Sequence, residues 1–264
     1  MIVNWNAKAT KPFIQPESWQ NLPKGDDYCQ ALRQTLMPWM PKILGHQVLK
    51  IGGLSGEVNT NLPMHHQIIL SEKITPNLTA LCDAKVSLVQ SSLTEFPFIQ
   101  KEINAVFLMN TLNFAQDPHQ ILRESHRVLA DDGWIFIALF NPLSPLILKR
   151  KMGDYPLRHY PAWRVIDWLS LLNFEVIEKC PIATQNKRTT ICSPLTLIIA
   201  QKRTYPLTLN PEKVRSKIPV FLDAFHIPPN QRPFFLSVRN GFVIGLFTIV
   251  KGFQTLFFFF GKFA

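Results

Sequence analysis

Short apolar runs alternate with stretches of helical period along most of this chain. The runs at 48–51, 67–70, 85–89, 105–109, 134–140, 174–178 and 195–200 have strand length and little charge. Between them, residues 119–129 place Ile121, Leu122, Ser125, Val128 and Leu129 on one face, and 161–172 place Trp163, Ile166, Leu169 and Leu172 at helical spacing. A further helix is expected from Gly25 or Asp26 to about Met37, with Tyr28, Leu32, Thr35 and Leu36 on one face and Pro38 and Pro41 closing it. Apolar strands alternating with helices predict an α/β fold with a mostly parallel sheet covered on both sides. The last two strands, joined by a polar connection, suit an antiparallel hairpin at its edge.

Local signals place the joints. Asp117 is an N-cap before Pro118 at the first helical position, and Gly133 is expected to form the turn into the next strand. The run 48–51 breaks into Gly52-Gly53-Leu54-Ser55-Gly56, three glycines in five positions. Without Cβ atoms such a loop turns tightly past a strand's carboxyl end and lets a nucleotide-like ligand approach the backbone.

Composition narrows the class. A chain of 264 residues holds one α/β domain with appendages, and 28 Lys and Arg against 18 Asp and Glu suit a phosphate-bearing partner or an anionic surface. No block of alternating basic and aromatic residues favours nucleic acid. Cys29, Cys82, Cys180 and Cys192 lack metal spacing and read as free thiols of a cytoplasmic protein, and the first 25 residues lack the pattern of a secretory signal. The organisation expected is an N-terminal arm and helix (1–45, with 1–21 irregular), a central domain (46–204), a linker (205–233) and an apolar tail (234–264) holding ten of the 20 phenylalanines. Within the tail, 240–260 approaches the roughly 20 residues that cross a bilayer, but Lys251 in its middle costs about 3 kcal/mol there. Peripheral membrane contact or a docked helix fits this tail better than a span.

The order of pieces in 48–202 resembles that of class I S-adenosylmethionine-dependent methyltransferases of the broad type 11 group, bacterial branch. The resemblance rests on Phe96-Pro97-Phe98, Asp117-Pro118-His119, Leu122-Arg123-Glu124, Arg127-Val128-Leu129 with Asp132-Gly133, and the closing stretch from Asp167 to Val176. It implies a Rossmann-like, seven-stranded, mostly parallel sheet with an antiparallel last strand and S-adenosylmethionine as cofactor. The implied cofactor positions are Gly52, Gly53, Leu54 and Gly56 in the loop, Glu72 or Ser71 at the ribose, Ser92 with the Leu93 N–H at the adenine, and Asn110. A polar cleft bounded by these residues is expected at the carboxyl ends of the strands.

The chain departs from the family pattern where Lys50 stands for an acid and Leu54 for a glycine; a branched Leu54 is expected to crowd the methionine pocket. The resemblance implies methyl transfer to a small-molecule or lipid-like acceptor, and no catalytic base can be read from the residues. The alternative is a binding or scaffold protein that keeps the fold without the cofactor. Asn141-Pro142 reads as a strand-ending turn, and the histidines as surface or capping residues.

Overall fold

The structure is a computed structural model that describes residues 14–60, 66–144, 151–184 and 189–204, together with four two-residue strands between 234 and 254. The chain divides into two compact units, Met1–Pro206 and Leu207–Ala264.

In the first unit the strands are β1 (Gln47–Ile51), β2 (His66–Ser71), β3 (Val86–Gln90), β4 (Ile103–Met109), β5 (Leu129–Phe140), the short hairpin β6 (Lys151–Met152) and β7 (Tyr155–Pro156), β8 (Phe174–Ile182) and β9 (Leu195–Lys202). Seven of them form one sheet in the order β3-β2-β1-β4-β5-β9-β8. The pairings are parallel from β3 through β5, and β9 runs antiparallel to both of its neighbours. This is the mostly parallel, seven-stranded Rossmann-like sheet with a reversed last strand. It places β1 in the interior.

Both faces are buried because the interior strands are apolar on both sides. On one face Val48, Ala105, Phe107, Phe136 and Phe140 pack under helix α1 (Gly25–Leu36), where the rings of Phe107 and Phe136 stack 4.7 Å apart. On the other, Leu49, Val106, Leu108, Ile135 and Ile137 pack under α4 (Pro118–Val128) and α5 (Ala162–Leu171). Two shorter helices, α2 (Gly53–Glu57) and α3 (Pro76–Thr79), flank β2.

The joints follow local chemistry, with instructive differences. Asp117 accepts the Gln120 N–H at 3.1 Å and Pro118 opens α4. At the exit, Asp132 rather than Gly133 takes the left-handed conformation, at φ 59°. Gly133 matters for space: a Cβ there would lie 2.8 Å from Leu129 Cγ. β5 begins at Leu129, five residues before the expected start, and residues 130–133 bulge from the register between Ile103 and Ala105.

On α5 the buried side chains are Val165, Trp168 and Leu169, whereas Trp163 is 60% exposed. Of the expected stripe, Leu169 is buried and Ile166 and Leu172 pack against the core, and Trp163 alone departs from it; Trp168 is the tryptophan turned inward, packing on Tyr160 and His119. The arm also holds more structure than its composition suggests. Trp19 to Asn21 form a 3₁₀ turn, and Trp19 is 1% exposed in the core. Asn141 closes its turn, donating from Nδ2 to the Ile191 and Ser193 carbonyls and accepting the Leu143 N–H.

In the second unit Phe234–Phe235 pairs antiparallel with Leu246–Phe247, and Ile249–Val250 with Phe253–Gln254. The rest of the tail, including most of the 240–260 stretch, lies outside the described residues. Among the described residues no helix is long and apolar enough to cross a membrane.

Candidate functional site

β1 stands between β2 and β4, where the strand order reverses, and its carboxyl end delivers the glycine loop to that point. Gly52 has φ 87°, a conformation natural to glycine, and its N–H donates to Leu70 O at 2.8 Å. Its carbonyl accepts the Gly56 N–H at 3.1 Å, starting the single turn of α2. Gly56 lets that turn sit against β2 and α3: a Cβ would lie 2.8 Å from Leu78 Cδ2 and 2.9 Å from Ile69 Cγ2.

Two hydroxyls outside the expected set hold the loop in place. Ser55 Oγ donates to Ile51 O at 2.6 Å and accepts the Met109 N–H at 2.8 Å, while Thr111 Oγ1 donates to Ile51 O at 2.7 Å. The ends of β1 and β4 are thereby tied together. Both side chains are buried, so these bonds are made away from competing water.

The structure brings only some of the expected positions together. Gly52, Gly53 and Leu54 line one slot with Gln15, Pro16, Thr111 and Phe114; it encloses about 160 Å³ and has no room for a water-sized sphere. The Leu54 side chain is 3% exposed and belongs to the core cluster of Trp19 and Tyr28. Its carbonyl accepts the Trp19 Nε1–H at 2.8 Å.

Glu72 stands exposed just past β2, and Ser71 is buried with its hydroxyl donating to Lys73 O at 2.8 Å. Ser92 lies past β3 with its hydroxyl 2.9 Å from Thr94 Oγ1, and the Leu93 side chain is buried in the core. Asn110 is fully buried at φ 57° at the end of β4. Its Nδ2 donates to Asn113 Oδ1 at 3.4 Å, and its Oδ1 has no hydrogen-bond partner among the described residues. Asn113 in turn accepts the Phe140 N–H and donates to Arg158 O at 2.7 Å, joining the ends of β4 and β5 to the stretch before α5.

A second cavity, which admits water-sized spheres over about 470 Å³, lies away from these residues. It is bounded by Gln30, Arg33, Met37, Met40 and Thr60.

Lys50, in place of the family acid, is 3% exposed and donates from Nζ to Val58 O at 2.8 Å. Burial, with the neighbouring Arg33 charge, pushes its pKa down to about 8. The ammonium group thus ties down the chain leaving α2.

The arm lies directly on the glycine loop. A Cβ on Gly53 would fall 2.5 Å from Glu17 O and 3.1 Å from its carbonyl carbon, and one on Gly52 would fall 3.5 Å from Gln15 Oε1. Ser18 Oγ and the Trp19 N–H both donate to Glu57 Oε2, at 3.1 and 2.9 Å, and Glu17 pairs with Lys73 at 3.5 Å. Sequence pattern carried no sign of Gln15, Glu17, Ser55, Thr111 or Asn113, whose partners lie far along the chain. The Ser55 position inside a glycine loop is the one local signal that could have been taken up.

Comparison with known proteins agrees with this geometry. A methyltransferase-domain family profile matches residues 49–137. The uncharacterized protein YafS of Escherichia coli K12 is 38% identical over 224 residues, covering 78% of this chain and 89% of YafS. A chain from the complex of the Haloferax volcanii Trm112 methyltransferase activator with a methyltransferase superposes with a TM-score of 0.53 at 14% identity, over 69% of this chain and 95% of that one. At that identity the likeness speaks for the fold alone. The family profile, the YafS relationship and the β3-β2-β1-β4-β5-β9-β8 sheet with its glycine loop at the switch point together place this chain among the class I S-adenosylmethionine-dependent methyltransferases.

Proposed function

We propose that the chain binds S-adenosylmethionine on the Gly52 loop and transfers its methyl group to a small-molecule or lipid-like acceptor at the carboxyl ends of β4 and β5. The observation that carries this reading is the glycine loop at the switch point, with Gly52 at φ 87°. Two features suit the cofactor. Gly53 leaves its backbone bare of a Cβ at the strand end, where Glu17 O now lies against it, and Asn110 Oδ1 is a buried acceptor with no hydrogen-bond partner among the described residues.

In this reading the backbone of Gly52 and Gly53 receives the methionine part, Glu72 or Ser71 the ribose, and Ser92 with the Leu93 N–H the adenine. When bound, the cofactor supplies an electrophilic methyl group on a sulfonium. The protein's task is to align the acceptor and exclude water, which suits a site without an evident base. The knot of Asn110, Asn113 and Arg158 holds the acceptor side by fixing the ends of β4 and β5.

Calorimetric titration with S-adenosylmethionine tests the reading. Binding tighter than about 100 μM, roughly 5.5 kcal/mol, is expected in a protein whose arm is free to move. Gly52→Val is expected to abolish the heat while leaving the domain folded, because strain of about 1–3 kcal/mol at a positive φ is a fraction of the 5–15 kcal/mol of a typical domain.

A second reading, a binding or scaffold protein without the cofactor, is favoured by the burial of Lys50 and by the arm seated on Gly53. Silence from folded protein, with arm intact or loosened, would decide for it.

A further inference from the structure

We propose that residues 14–17 are a strap that closes the cofactor seat with the chain's own backbone, and that it must lift, hinging ahead of Ser18, before S-adenosylmethionine reaches Gly52 and Gly53. The inference rests on the reading of the glycine loop as that seat, and adds how access to it is controlled.

The strap and its anchor are held very differently. Beyond the hinge, Ser18 and the Trp19 N–H share Glu57 Oε2, Trp19 Nε1 donates to Leu54 O at 2.8 Å, and the Trp19 ring is buried in the core. That end stays fixed. On the other side of the hinge, Ile14 is 65% exposed, and the Glu17–Lys73 pair joins side chains that are 39% and 69% exposed. An ion pair so open to water holds little. Pro16 is buried and Gln15 and Glu17 are half-buried, and these residues occupy the critical space: Glu17 O lies where a Gly53 side chain would begin, and Gln15 Oε1 approaches Gly52 from the slot. A ligand that comes close to the glycine backbone and a strap already in contact with it cannot share that space. Lys73 directly follows Glu72, so the strap's ion pair closes over the ribose side as well.

The thermodynamic consequence is a reduced apparent affinity. If the strap is closed nine-tenths of the time, the measured dissociation constant is about ten times the intrinsic one.

The experiment uses the full chain and S-adenosylhomocysteine as the probe, in two measurements. In the first, calorimetry compares the wild type with a variant carrying Gln15→Gly, Pro16→Gly and Glu17→Gly, which loosens the strap and leaves Ser18, Trp19 and the glycine loop unaltered. The variant is expected to bind at least about tenfold more tightly. In the second, amide hydrogen exchange on the wild type at saturating probe is expected to rise at 14–17 and fall at 52–57. Equal affinity in the two proteins, with exchange at 14–17 unchanged or slowed, overturns the strap and leaves the cofactor seat standing. No heat from either folded protein overturns the seat and the strap with it. Should the triple variant fail to fold, the exchange measurement on the wild type still decides.

Discussion

Burying an ammonium group at Lys50 has a sign that can be measured. The folded state holds this pKa at about 8, below the ordinary lysine value of 10.5, so above pH 8 the unfolded chain binds more protons than the native one. Stability from this group therefore rises as pH climbs through the window from 8 to 10.5. A Lys50→Met variant lacks the effect, so urea midpoints of wild type and variant should shift in favour of wild type across that window, by an amount on the order of 3 kcal/mol. Comparison with the variant removes the opposing contributions of the Tyr28 and Tyr160 phenols, whose raised pKa values lower stability at high pH in both proteins. Single residues were legible in sequence where backbone geometry dictates the residue type, as at Gly52 and the Asp117 cap. They were opaque where the partner is distant, as for Thr111 bonded to Ile51 O or Trp19 to Leu54 O.

Among the elements, α4 shows why the Leu122 to Leu129 motif accompanies Phe96-Pro97-Phe98. Arg127 donates to the carbonyls of Phe96 and Phe98 at 2.8 Å each and pairs with Glu124, which also accepts the Phe96 N–H. One guanidinium thus moors the connection after β3 to the helix. Arg127→Ala leaves these groups without their donor and should lower stability by about 1–3 kcal/mol, read as a shift in urea midpoint. Arg127→Lys, with a single donor centre, should fall between the two. Hydrogen bonding from Arg127 holds the Glu124 carboxyl below its ordinary range, so this contribution is present at neutral pH and lost as acid protonates it. On α2, Gly56→Ala would press a methyl group against Leu78 and Ile69, an overpacking worth about 1–3 kcal/mol. The three longer helices were legible as elements, and α2 and α3 were not; on α5 the reading failed at Trp163, because a tryptophan at each of positions 163 and 168 satisfies helical spacing and only the packing of Tyr160 chooses between them.

For the whole molecule, the mostly parallel sheet could be read because apolar runs alternate with helical stretches, while its seven-stranded form with a reversed last strand was implied by the family resemblance. The closing of the glycine loop by the arm could not, since 14–18 carry neither period nor motif. The first unit contains the complete seven-stranded sheet. A chain ending after Pro206 should therefore fold and unfold in one cooperative transition, which calorimetry reads directly.

The position of β9 also orders events during synthesis. Because the strand made last lies between β5 and β8, the edge of β5 is bare on the nascent chain until residues 195–202 have left the ribosome. β8, though made earlier, has no place in the sheet before then. At least sixty residues follow Thr204, so translation continues after β9 is made, and the sheet can close before the polypeptide is released.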